Sequence, residues 1–96
     1  MLTSKQRARL RGLANTYESI LQVGKDGIGE NLLKQVDDAL TARELIKLHV
    51  LETAPDSVRA TAQELAEKTK SDVVQVIGSR FILFRRNQRD PKIPLK

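Results

Sequence analysis

Ninety-six residues, 40% of them apolar and 30% charged, describe one globular domain with a small core. The chain has no cysteine, which excludes disulfides and thiolate metal sites, and no apolar run approaches the length that spans a bilayer. The net charge is +5, so a polyanionic partner is a stronger expectation than a cationic one.

That charge is unevenly placed. Residues 1–14 carry Lys5, Arg7, Arg9 and Arg11 and no acid, and residues 80–96 carry Arg80, Arg85, Arg86, Arg89, Lys92 and Lys96 against Asp90 alone. The stretch between them holds seven bases against eleven acids. If the fold brings the two ends together they form one basic face, suited to nucleic acid first and an anionic membrane second. A solvated surface that only aids solubility explains the same charges about equally well. No apolar segment follows the N-terminal charges, so a secretion signal is not expected and the expected location is the cytoplasm.

Along the chain, "LTSKQRARLRGLA" predicts a first helix, opened by a Thr3/Gln6 capping box and burying Leu10, Leu13 and Ala14 on one face. "SILQV" predicts a short strand ending at Gly24. Leu32, Leu33, Val36, Ala39 and Leu40 recur at helical spacing, giving a second helix that opens between Gly27 and Glu30 and ends near Ala42. "ELIKLHVL" alternates, with Ile46, Leu48 and Val50 toward a core and Lys47 and His49 on a wetter face. Thr53 and Asp56 around Pro55 signal a third helix lined by Val58, Ala62, Leu65, Ala66 and Thr69, running through Lys70. "DVVQVIGSRFILFRR" predicts a hairpin turning on Gly78-Ser79, with Val76 opposite Phe81 and Val74 opposite Leu83. These four are expected to face the helices, while Gln75, Arg80, Ile82 and Phe84 share the other side. The tail "NQRDPKIPLK" is polar, basic and broken by prolines, and is expected to be mobile or loosely docked. The expected fold is α/β in the order α-β-α-β-α-β-β, a two-layer sandwich with helices on one face of a four-stranded mixed sheet. The expected division is a domain over residues 1–86 and a tail over 87–96.

Catalytic chemistry is hard to find. His49 is the one histidine and lies in mid-strand, Asp37 and Asp38 point apart on a helix, and no nucleophile has a base and an orienting acid in view. No enzyme activity, cofactor or metal is expected. The stretch "QVGKDGIGEN" is the remaining candidate site. It is neither a Walker loop, since Gly-Lys-Ser/Thr is missing, nor a dinucleotide fingerprint, since the third glycine is missing. Gly24-Lys25-Asp26-Gly27 does leave a bare backbone that a phosphate can approach, and it leads into a helix N-terminus that favours anions. In isolation it reads first as a plain turn, and its place between strand and helix in a chain with basic ends is what favours binding. With three aromatics in all, Tyr17, Phe81 and Phe84, a stacking platform for bases is missing.

"LTSKQRARLRGLA", "ILQVGKDGIGENLLKQVDDAL", "ELIKLHVL" and "VVQVIGSRFILFRR", in that order, resemble the CRM domain (chloroplast RNA splicing and ribosome maturation), and most nearly its stand-alone bacterial YhbY-like form. The resemblance covers nearly the whole chain. It implies an RNA-binding α/β fold akin to the C-terminal domain of bacterial translation initiation factor three, and association with precursors of the large ribosomal subunit. The family's glycine loop falls on Gly24, Lys25, Asp26 and Gly27, and its strand motif on Val74 to Gly78. One departure is Gly29, where many members place Ser or Thr. The expected RNA contacts are therefore Gly24, Lys25, Asp26 and Gly27, with Lys5, Arg7, Arg9 and Arg11 on the first helix and Arg80, Arg85 and Arg86 on the hairpin. The expected partner is ribosomal RNA of a large-subunit precursor, bound by a monomer and without a membrane. The rival expectation is a protein-interaction adaptor that docks through an open sheet face carrying Ile82 and Phe84.

Overall fold

A computed structural model describes residues 2–94. Its elements follow the expected order: α1 (Ser4–Ala14), β1 (Leu21–Val23), α2 (Glu30–Arg43), β2 (Leu45–Val50), α3 (Val58–Thr69), β3 (Asp72–Ile77) and β4 (Arg80–Phe84). The capping box forms at the start of α1: Gln6 N–H donates to Thr3 Oγ1 at 3.1 Å and Thr3 N–H donates to Gln6 Oε1 at 3.0 Å. The start of α3 is capped by Ser57, not by Thr53 or Asp56; its Oγ accepts from Ala60 N–H at 3.1 Å. Ser57 takes the cap because its backbone is extended just before Val58, at φ −64 and ψ 162, which sets its hydroxyl against the first turn.

The four strands lie in the order β1-β2-β4-β3, with β1 parallel to β2 and the other two pairings antiparallel. β4 thus inserts between β2 and β3, which run parallel to each other. The hairpin turns on Gly78 at φ +56, a conformation that glycine adopts without steric cost.

Both sheet faces are covered by helices, and here the expected two-layer packing is corrected. On one face α2 and α3 bury Ile46, Leu48, Val50, Phe81 and Leu83 with Val36, Leu40, Ala62 and Leu65. On the other, Leu10 and Ala14 of α1 pack with Leu45, Val74, Ile82 and Phe84. Ile82 and Phe84 are only 2% and 3% exposed, so they do not form an open docking face. The reason is alternation along β4: four successive apolar residues, "FILF", supply apolar side chains to both faces, and each needs cover. The α1 contact is narrow, so Leu13, one turn on from Leu10, falls at its flank and stays exposed.

A β-bulge at Val74 changes the hairpin register. Val76 does oppose Phe81, but Val73 rather than Val74 opposes Leu83, and Gln75 opposes Ile82. The extra residue turns Val74 into the α1 side core. Arg7 seals the site by donating to the Val73 carbonyl.

The tail is docked over residues 87–94; Leu95 and Lys96, which belong to the same expectation, lie outside the described residues. Its anchor is Glu44, fully buried at the end of α2 with φ +66. Glu44 Oε1 accepts the N–H groups of Lys92 at 2.6 Å and Ile93 at 2.7 Å, and Oε2 accepts that of Asn87 at 2.6 Å. Ile93 joins the α1 core, and Arg9 Nε donates to the Pro94 carbonyl at 3.2 Å. Ile93 and Pro94 are thereby brought beside α1.

Candidate nucleic-acid interface

β1 ends at Val23, and the next four residues close a tight turn in which Gly27 N–H donates to the Gly24 carbonyl at 3.0 Å. Lys25 and Asp26 stand exposed at its tip. Gly27 is required twice over: φ is +64, and a Cβ there would sit 3.1 Å from Pro55 Cγ. Gly24 lacks both constraints, since a Cβ would meet only Leu51 Cδ1 at an ordinary 3.6 Å. The turn therefore needs glycine at its end and tolerates it at its start.

Gly29 then serves as N-cap of α2, with φ −106 and no side chain to accept from the first turn. The amides of Asn31 and Leu32 are left uncapped, in the same shallow depression that Gly24, Lys25, Gly27 and Gln35 line. Charge alone does not make this spot attractive to anions, because Asp26 and Glu30 outnumber Lys25. Its donors are backbone N–H groups and the positive end of the α2 dipole, with Lys25 as the one mobile cation.

The other expected contacts separate into two groups. Lys5, Arg9 and Arg11 are exposed on α1, Arg80 opens β4, and Arg86 follows it, also exposed. Arg7 and Arg85 are instead turned into the protein. Arg85 Nη1 donates to Asp37 Oδ1 at 2.6 Å and to the Thr69 carbonyl at 2.9 Å; Nη2 donates to the Asp37 carbonyl at 2.9 Å and to Thr41 Oγ1 at 2.8 Å. This guanidinium ties the end of β4 to α2 and α3, a use for which its planar fork is suited.

The structure does not gather the bases at the loop. α1 covers the end of the sheet that holds Leu45, whereas the glycine turn lies beyond Val23 and Val50 at the other. At about 3.3 Å per residue, the run from Leu45 to Val50 separates those ends by roughly 17 Å. Between them lie Lys47 and His49, which belong to no expected site although their alternation with Ile46, Leu48 and Val50 already placed them on the wetter face. Among the described residues no group of three or more His, Asp or Glu is placed to hold a metal ion, and no helix is long and apolar enough to cross a membrane.

The fold and the sequence are both similar to those of known proteins. The chain is 47% identical to SAV1595 of Staphylococcus aureus, whose solution structure matches it with a TM-score of 0.84 over the whole of both chains. It is 39% identical over 95 residues, 99% of each chain, to the Bacillus subtilis protein named Probable RNA-binding protein YqeI. It is 31% identical over 94 residues, 98% of this chain and 94% of the other, to a Haemophilus influenzae protein named RNA-binding protein. The family model of the CRS1 / YhbY (CRM) domain matches residues 2–85, from the α1 cap to the end of the hairpin, and the chain belongs to that family.

Proposed function

We propose that this protein binds RNA, that it works in the cytoplasm, and that its target is ribosomal RNA in a precursor of the large ribosomal subunit. The observation that carries the reading is the Gly24–Gly27 turn set against the uncapped start of α2, in a chain whose relatives are named RNA-binding proteins. The backbone N–H groups and Lys25 hold phosphate oxygens, and Lys5, Arg9, Arg11, Arg80 and Arg86 supply the longer-range attraction. Arg7 and Arg85 are assigned to the fold, because their donors already serve it. The adaptor reading loses the face it called for, since α1 covers Ile82 and Phe84.

The test is a gel-shift titration of a large-subunit ribosomal RNA fragment over a range of salt. If the six exposed cations named above each neutralise a phosphate, log K falls with log salt at a slope of about −4 to −5. Lys25→Ala weakens binding to all RNA sequences alike. An affinity independent of salt overturns the proposal, and unchanged affinity in Lys25→Ala removes the loop from it.

A further inference from the structure

We infer that the half of the sheet face left open beside α1 is a second RNA surface, which takes an unpaired stretch of the strand held at the glycine turn. The inference rests on the RNA-binding reading above. It starts from strand register. Gln22 pairs with His49, His49 with Arg80, and Arg80 with Ile77, so the four side chains form one row across the sheet on the α1 side. Lys47, Ile82 and Gln75 form the next row, and Ile20 N–H donates to the Lys47 carbonyl at 3.0 Å, which brings Ile20 beside them.

α1 covers Ile82 but not the rest. Lys47, Gln75, Ile77 and Arg80 line one depression with Asn15, just past the end of α1. Lys47 also lines a second, with Tyr17, Glu18, Ile20 and Arg43. Ile77 is 53% exposed, the most open large apolar side chain described, and Tyr17 and Ile20 are about two-fifths exposed. Neither row contains an acid. Glu18 is the one acid lining the two depressions, against Lys47, Arg80 and Arg43. The ion pairs among the described residues, Arg85–Asp37 and Lys92–Asp90, involve none of these three cations.

The charge selects a polyanion, and the other side chains select its form. Gln22, Gln75 and His49 present hydrogen-bonding groups that read base edges, while Tyr17 and Ile77 present flat or apolar surface to base faces. Unpaired nucleotides expose both, whereas a duplex offers this shallow face little beyond phosphates. Position adds continuity: the Gln22 row is one residue from Val23, after which the glycine turn begins, and the Lys47 row leads back toward α1. The surface thus spans the gap between α1 and the glycine turn, which lie at opposite ends of the sheet.

The experiment compares wild type, Lys25→Ala, Arg80→Gln and the double variant Lys47→Gln/Arg80→Gln on an unpaired mixed-sequence RNA oligonucleotide and on the same strand annealed to its complement. The double variant is expected to flatten the salt slope on the unpaired strand by about 1.4, some 0.7 for each lost phosphate contact, and to weaken binding about tenfold at low salt, with a smaller effect on the duplex. Arg80→Gln, at an exposed position, flattens it by about 0.7 with an unchanged melting temperature, so a folding defect at half-buried Lys47 cannot imitate the result. Wild-type affinity and slope in the double variant, alongside weakened Lys25→Ala, overturn the sheet surface and leave the loop reading standing. Equal losses on unpaired and duplex RNA overturn the selection of unpaired strands. Absence of RNA binding by the wild-type protein overturns both readings together.

Discussion

Glu44→Gln replaces one oxygen of a fully buried carboxylate by an NH2 group and tests what holds residues 87–93 down. The carboxylate accepts three backbone N–H groups, at 2.6, 2.6 and 2.7 Å. An amide has one oxygen to offer, so with Oε1 kept toward Lys92 and Ile93, the new NH2 meets the Asn87 N–H donor to donor. One charge-assisted bond is lost and two become neutral; bonds to a charged group contribute about 1.5–3 kcal/mol net and neutral ones about 0.5–1.5. Relief of the carboxylate's desolvation offsets part of this, and lift-off of the tail limits the rest, which leaves a loss of about 2–3 kcal/mol. For a domain of this size each kcal/mol moves the melting temperature by about 4–8 °C, so a fall of roughly 8 °C or more is expected by circular dichroism. Hydrogen exchange localises the effect: Asn87, Lys92 and Ile93 lose protection while Leu48 and Phe81 keep theirs. Glu44→Gly relieves the positive φ, yet it removes the acceptor and so also releases the tail. Wild-type protection at Asn87 in Glu44→Gln would refute the reasoning, because the NH2 that replaces Oε2 cannot accept and no other group accepts from that amide among the described residues.

Gly27→Ala is expected to cost about 1–2 kcal/mol from its left-handed φ, with the Pro55 contact adding to it, read as a lower denaturation midpoint; no loss would mean that the turn relaxes freely. Gly29→Ser goes the other way. Its φ is ordinary and nothing lies within 4 Å of a new Cβ, so a cap hydroxyl and a stiffer unfolded chain together add about 0.5–1 kcal/mol; an unchanged or lower midpoint would count against an uncapped α2. Arg85→Lys keeps the charge but not the fork, so the melting temperature falls while RNA affinity well below it stays constant. Weakened RNA binding at constant stability would return Arg85 to the interface.

The sequence made the elements legible because their signals are local. Helical spacing in α2 and α3, the Thr3/Gln6 box and Gly78-Ser79 each act within a few residues, and each element appears where it was expected. What it hid was pairing over distance. A short charged α1 offers only Leu10 and Ala14 to a core, too little to say which face it covers, although "FILF" already carried the signal that both faces need cover. The bulge at Val74 has no glycine to announce it. Glu44 reads as the acid that opens "ELIKLHVL" until three amides from more than forty residues away converge on it. At the candidate site the glycine turn was legible from its spacing. The turning inward of Arg7 and Arg85 was not, because charge counts do not tell a cation facing solvent from one directed at a carbonyl.

The seat of α1 has a consequence for vectorial synthesis. Leu10 and Ala14 are made before the buried side chains they pack against, since Leu45, Val74, Ile82, Phe84 and Ile93 all follow them in the chain. α1 is thus made before α2 and α3 but cannot complete its packing until β4 has followed. Its closure spans most of the polypeptide, whereas β1, α2 and β2 can assemble from neighbours. During that wait the segment exposes a two-residue apolar stripe among Lys5, Arg7, Arg9 and Arg11, a composition that stays hydrated and repels its own kind. The basic character of α1 thus bears on the unseated helix as well as on any ligand.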